Sequence, residues 1–314
     1  MLFFKIIYLF INNIMAESPK LILHFDINLT LIAEDPIKKH SLKNVLNSLL
    51  AENYYDKWNK DLKESISYAD YIKNYIFPGN KSDKDLKEKR YLKILDFMNF
   101  LKLTNHKDYE ELNKKFNFLE DKIKNSRSIV FESFFNLINF LDYNKVDYSI
   151  VLRTFGSDYD RVMKEIINFT NPNFFKFKGN FNKDTLTIES ILSKDKIILT
   201  DIKDIYDFFI NNGNMVIRDD WQNWNNNGEK LAFGKKFPIN FKDHKNLAFF
   251  FDDHAEENYG IINPIDISFN KIINFKELID SKNIFKVDTL QAIQDSEYFI
   301  DLIKQANLKF NFLK

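Results

Sequence analysis

Four apolar runs of strand length punctuate this chain, and helix-patterned segments separate them. The runs are Leu21–Phe25 (LILHF), Val146–Leu152 (VDYSIVL), Asn214–Arg218 (NMVIR) and Leu247–Phe251 (LAFFF). Each is short and largely apolar, the pattern of a buried strand. Helical spacing fills Ser128–Tyr143, a segment that Ser157-Asp158 caps and that runs to about Phe169, and Asp201–Asn212, which Gly213 closes. This alternation predicts an α/β protein whose parallel sheet is covered on both faces. Ligands of such sheets bind beyond the carboxyl ends of the strands. A hairpin is expected around Lys178–Thr187, a fifth strand at Ile261–Ile267, a long loop at Asp219–Lys245, and helix from Lys271 onward.

The stretch between the first two strands has a different texture. Tyr54–Leu103 is rich in Lys, Glu, Leu and Tyr, with Ile66, Ala69, Tyr71 and Ile72 at helical spacing. Breaks fall at Pro78-Gly79-Asn80 and Thr104-Asn105. Residues 37–127 therefore read as a helical insert, with 15–36 and 128–314 forming the domain that carries the sheet. Residues 1–14 (MLFFKIIYLFINNI) are too short to span a membrane. They read as a leader ahead of a true start at Met15, which implies a cytoplasmic protein, or as a signal peptide leading to the secretory pathway.

Composition narrows the chemistry. The 45 Lys+Arg balance the 45 Asp+Glu, so no basic surplus points to nucleic acid or an anionic membrane. With no cysteine, disulfides, a thiol nucleophile and Cys-ligated zinc are excluded. The five histidines show no metal-ligand spacing.

Three strands end in polar groups. The first runs into Asp26-Ile27-Asn28-Leu29-Thr30, the second into Arg153-Thr154-Phe155-Gly156, and the fourth into Asp252-Asp253. In a parallel sheet these ends share one edge, so Asp26, Thr154 and Asp252 are expected to face one crevice. That set supplies a carboxylate nucleophile, a hydroxyl donor and an acidic metal ligand. A carboxylate approaching a phosphate dianion is repelled: two unit charges about 4 Å apart repel by roughly 4 kcal/mol at an effective dielectric of about 20. A divalent cation between them cancels this and orients the attack. Mg²⁺ prefers oxygen ligands such as Asp26, a backbone carbonyl, and Asp252 or Asp253.

FDINLT at 25–30, IVLRT at 150–154 and FFFDD at 249–253 resemble the first, second and fourth motifs of the haloacid dehalogenase-like (HAD) hydrolases, in the right order and each closing a predicted strand. The insert falls where this family places a helical cap of the first type. The resemblance implies a Rossmann-like sheet, Mg²⁺ dependence and an aspartyl-phosphate intermediate. The substrate would be a phosphorylated small molecule or a protein-borne phosphate. By matching positions, Asp26 is the nucleophile, Thr154 the phosphate binder, and Asp252 or Asp253 the Mg²⁺ ligand, joined by Asp26 and the Asn28 carbonyl. The third motif's cation is assigned to Lys235, with Lys236 and Arg218 as rivals. A dehalogenase is disfavoured, because that chemistry uses no metal.

Other residues have plainer readings. Arg153 is expected at the surface or facing substrate. His24 reads as a packed strand residue and His254 as an exposed loop residue. Trp221 and Trp224 read as anchors for a long loop more readily than as a substrate clamp. Tyr54, Tyr55, Trp58, Tyr68 and Tyr71 read mostly as core of the insert.

One position departs from the phosphatase pattern. Two residues after the nucleophile these enzymes carry Asp, and here it is Asn28. An amide cannot exchange a proton with the leaving group or with water. The expectation is slow turnover, or a preference for aryl and acyl phosphates, unless Glu34, Asp35 or His254 substitutes. The alternative is a catalytically impaired member that binds a phosphorylated ligand or protein. Restoring the acid in Asn28→Asp should raise alkyl-phosphate turnover by about 10²-fold or more, the usual scale of general acid–base help; steady-state rates that do not rise would show that Asn28 is not limiting.

Overall fold

The computed structural model describes residues 18–34, 41–80, 83–310 and 312–313; the leader reading of 1–14 and Asp35 lie outside them. The described strands, in chain order, are β1 Lys20–Asp26, β2 Tyr55–Asp56, β3 Ile66–Ser67, β4 Tyr148–Thr154, β5 Phe177–Asn182, β6 Thr185–Ser190 and β7 Lys196–Leu199. They continue with β8 Met215–Arg218, β9 Lys235–Ile239, β10 Asn246–Asp252, β11 Ile262–Asp266, β12 Lys271–Ile272 and β13 Ile284–Lys286. The chain divides into two compact units. Among the described residues, the first holds those of 18–27, 134–287 and 297–313, and the second those of 28–133 and 288–296.

The first unit is α/β and is built on an eight-stranded sheet of order β13-β10-β1-β4-β8-β5-β6-β7. Pairing is parallel from β13 through β5 and antiparallel across β5, β6 and β7. The chain steps from β1 to β4 to β8 in one direction, then returns to place β10 and β13 on the other side of β1. The strand order therefore switches between β1 and β10, the kind of point at which doubly wound sheets open a crevice. A separate sheet of order β12-β11-β9 belongs to the same unit.

Alternation along the strands gives the large sheet two apolar faces. On one, Phe25, Phe251 and Phe285 stack in a row, with Phe134 and Phe299 edge-on to it. On the other, Ile22, Val151 and Phe250 pack with Phe209 and Phe237. The helix Ile202–Asn211 starts where the Asp201 carboxylate accepts the Lys203 N–H at 2.7 Å, an N-cap that satisfies an otherwise orphaned donor.

The second unit is largely helical, with helices Leu42–Asn53, Lys84–Leu95, Phe97–Leu103, Tyr109–Lys124 and Thr289–Gln294. Ser41 and Asp83 cap the first two through their side-chain oxygens. Leu46, Leu50, Tyr68, Phe97, Leu101 and Leu119 are buried there. Trp58 and Phe97 each lie 4.9 Å from the Tyr68 ring. Tyr55, expected in this core, is 61% exposed. Among the described residues no helix is long and apolar enough to cross a membrane.

Two local expectations are corrected, and a third, the fifth strand, holds in a separate sheet. The segment 219–245 is not one loop: it holds the helix Trp221–Asn226, the turn Leu231–Phe233 and β9. A run with two lysines and a proline scores poorly as a strand, and β9 exists because Lys235, Phe237 and Ile239 all find buried partners. The expected fifth strand is β11, which pairs with β9 and β12 rather than joining the large sheet. The tail after Lys271 is not uniformly helical. Ile284 and Phe285 pair with Phe250 and Phe251 and form the edge strand β13, after the short helix Phe275–Asp280 that Asn274 caps.

Phe251 is central to one apolar face, stacked between Phe25 at 4.5 Å and Phe285 at 5.1 Å. Phe251→Ala should cost about 3–5 kcal/mol, read from urea unfolding; a loss under about 1 kcal/mol would show that this face does not carry the core.

Candidate active site

Register places two of the expected residues side by side. Phe25 pairs with Phe251 on one side and Leu152 on the other, and Asp26 pairs with Arg153. Asp26 and Asp252, each one residue beyond the Phe25–Phe251 pair, therefore stand level at the switch point. Because side chains alternate along a strand, they share the face that carries His24 and Phe250.

Lys235 completes the cluster from β9. Its Nζ donates to Asp26 Oδ1 at 2.5 Å and to Asp252 Oδ2 at 2.7 Å. The three residues are only 6%, 0% and 1% exposed for Asp26, Asp252 and Lys235. The ammonium also lies 5.3 Å from the Phe155 ring and 6.0 Å from that of Phe250, a distance at which a ring face attracts a cation. Gly234 lets β9 start here. A Cβ on it would come within 2.5 Å of the Ile261 carbonyl oxygen and 2.6 Å of that of Gly260, and the Lys235 N–H bonds the Ile261 carbonyl at 2.7 Å.

Two buried carboxylates share one ammonium, which leaves the cluster one negative charge in excess. The consequences run in both directions. Burial raises the pKa of Asp26 well above the usual carboxylate range; Lys235 opposes the shift, while Asp252 and Asp253 add to it. Burial by itself would lower the pKa of Lys235, but the attraction of Asp252 and Asp26 outweighs it and raises the pKa, so the ammonium stays charged. Asp253 follows, with its Oδ2 2.7 Å from His254 Nδ1, and the His254 N–H bonds Asp252 Oδ1 at 2.8 Å. Asp252, Asp253 and His254 together offer metal-ligating atoms within 4.8 Å of one another. His254, expected as an exposed loop residue, lies in a turn with its side chain 40% exposed and paired with Asp253.

Thr154 closes β4 one residue beyond Arg153 and is fully buried. Its hydroxyl accepts the Gly156 N–H at 2.9 Å, and its carbonyl accepts the Asp219 N–H at 2.7 Å. Lys236, the rival to Lys235, extends instead to Asp184, and Arg218 is exposed. Asn28 and Glu34 fall in the second unit.

Arg153, expected at the surface or facing substrate, is fully buried. Its Nε and NH2 donate to Asp219 Oδ2 and Oδ1 at 3.0 and 2.5 Å, and its NH1 donates to the Lys236 carbonyl at 2.8 Å. A guanidinium ending a strand looks like a surface group in sequence; Asp219, which neutralises it, is 66 positions away. His24 packs among Phe209, Phe237 and Phe250. Burial, then the neighbouring Arg153 charge, hold its pKa well below the ordinary value. Trp224 stacks on Phe155 at 5.2 Å and donates to the Gly260 carbonyl, so it anchors the segment that leads to Lys235.

A cavity of about 300 Å³ lies beside these supports, lined in part by Phe181, Asp219, Asp220, Gly234 and Lys236. Asp26 and Asp252 do not line it. In the second unit, Asp56, His106 and Asp108 form another cluster with metal-ligand potential. His106 Nε2 lies 3.1 Å from Asp56 Oδ2 and Tyr54 donates to Asp108, so the cluster's own bonds account for it. Comparison with family models, curated proteins and solved structures yields no match.

The raised pKa of Asp26 has a measurable consequence. Stability carried by its protonated form is present in acid and lost as pH rises through the folded value. In metal-free buffer, Asp26→Asn should therefore melt higher than wild type at neutral pH, and the gap should narrow as pH falls through the acid range. An Asp26→Asn protein less stable than wild type at pH 7 would contradict this balance of charges.

Proposed function

We propose that this protein is a HAD-like, Mg²⁺-dependent phosphohydrolase. The observation that carries the reading is the buried convergence of Asp26, Lys235 and Asp252 at the switch point of the sheet. The order of the motifs and the helical unit between the first two support it.

The donor set suits a hard divalent cation. Asp26, Asp252 and Asp253 offer carboxylate oxygens, and the cluster carries a negative charge that Lys235 alone does not balance. Bound Mg²⁺ supplies the charge neutralisation that lets a carboxylate and a phosphate dianion approach, and it favours the ionised form of Asp26.

The chain's own residues do the rest. An Asp26 carboxylate oxygen attacks phosphorus and forms a P–O bond, while the bond to the leaving group breaks and its electron pair departs with that oxygen. Lys235 holds its charge against the nucleophile and against the phosphoryl oxygens as charge redistributes. Thr154 offers its hydroxyl to the same group. Water then attacks phosphorus, the bond to Asp26 breaks, inorganic phosphate leaves and the carboxylate is regenerated. Asn28 provides no acid for the first departure and no base for the water, so aryl and acyl phosphates are the favoured substrates. Asn28 is also the one feature that favours the second reading, a phospho-ligand binder with impaired catalysis.

Hydrolysis of p-nitrophenyl phosphate and acetyl phosphate, with Mg²⁺ and with EDTA, tests the proposal. The expected result is metal-dependent turnover that falls by about 10³-fold or more in Asp26→Asn, the scale of losing a covalent nucleophile. No turnover by folded wild-type protein with Mg²⁺ bound would instead support the binder.

A further inference from the structure

Lys235 has to meet Asp26 and Asp252 from a strand outside their sheet. β9 is hydrogen-bonded to β11, and β1 and β10 lie in the large sheet. Something must hold the two together to within a fraction of an ångström, because an ammonium displaced by about 1 Å from its working position can cost about 10²-fold in rate. Apolar packing of Phe237 against His24 and Phe250 brings β9 to the sheet, but rings can slide over one another. A directional tie is needed.

Arg153 provides one. It sits on β4, in register with Asp26, and its NH1 donates to the Lys236 carbonyl, in the Lys236–Phe237 peptide one residue beyond Lys235. The guanidinium cannot move to follow β9. Two of its nitrogens are held by the Asp219 carboxylate. Its charged carbon lies 5.4 Å from the Phe181 ring and 5.6 Å from that of Phe250. NH1 is also 3.4 Å from Nδ1 of His24, which stays neutral and so can accept. Asp219 in turn bonds the Thr154 carbonyl through its own N–H.

We infer that the buried Arg153–Asp219 pair is a positioning device: it fixes the Lys236 carbonyl, on the residue next to Lys235, and the carbonyl of Thr154 from one rigid anchor, and so sets where the cation and the hydroxyl stand relative to Asp26. The role of Lys235 in catalysis rests on the phosphohydrolase reading; its placement by Arg153 does not. A lysine cannot replace the arginine, since it lacks the planar fork that serves Asp219 and the Lys236 carbonyl at once.

Two measurements on wild type, Arg153→Lys and Asp219→Asn test this, with circular dichroism and thermal melts to establish folding. The first is acetylation of lysines by acetic anhydride, mapped by mass spectrometry. Lys235 should be protected in wild type and should label at least about fivefold faster in each folded variant, while Lys20, whose ammonium bonds the Ile210 carbonyl, labels as before. The threshold reflects a local opening easier by only about 1 kcal/mol. Unchanged protection of Lys235, or an equal rise at Lys20, overturns the positioning role. The second is Mg²⁺-dependent p-nitrophenyl phosphate hydrolysis. In the variants kcat should fall by about tenfold or more with KM within about twofold, the sign of lost transition-state alignment. Wild-type kcat in a variant that exposes Lys235 overturns it as a device for catalysis. Wild type without turnover, but with selective unmasking of Lys235, sinks the phosphohydrolase reading and leaves the tie standing.

Discussion

The ammonium of Lys235, buried between the carboxylates of Asp26 and Asp252, is the interaction on which the first unit depends. An isolated charge in that position would cost several kcal/mol. It is tolerated because carboxylates meet it within hydrogen-bond distance, Asp252 alone being enough to balance its charge, and both can reach it only if β1, β9 and β10 converge. The Phe155 and Phe250 rings around it exclude water and so strengthen each charge's pull on the others. Gly234 grants β9 the close approach it needs.

A second buried pair lies within the same unit. Arg153 and Asp219 neutralise each other, and His24 beside them stays uncharged. The two layers differ in kind. The Arg153–Asp219 layer is balanced and internally satisfied, as a structural anchor should be. The Asp26–Lys235–Asp252 layer is one positive charge short, and Asp26 bears the imbalance as a raised pKa. Imbalance of that sort is common where a fold is arranged for an incoming ligand rather than for its own stability. On the proposed reading, a bound cation would supply the missing charge.

Much of this site was legible along the chain, though unevenly. Asp26 and Asp252 follow apolar runs so uniform that their strand ends could be placed to a residue. Lys235 was harder: it stands among several candidate cations, in a segment whose Asn, Gly and Lys content reads as loop. The strand β9 forms because Lys235, Phe237 and Ile239 turn to buried partners, and those partners are supplied by other elements. Arg153 looks like a surface group for the same reason, since its neutralising carboxylate is remote in sequence. In the tail after Lys271, an edge strand of three residues leaves too short a periodicity to stand out from the helical pattern.

The sequence by itself determined the alternation of apolar strands and helices, the carboxylates that end β1 and β10, the threonine that ends β4, and the helical character of the stretch between the first two long strands. These follow from local rules: hydrophobic period, caps and turn residues act over a few positions. Only the tertiary structure decided which lysine meets Asp26, that Arg153 is internal, and that the strand order reverses between β1 and β10. Those outcomes turn on the pairing of buried charges and on sheet neighbours far apart in the chain, and no local pattern encodes the partner of a charge.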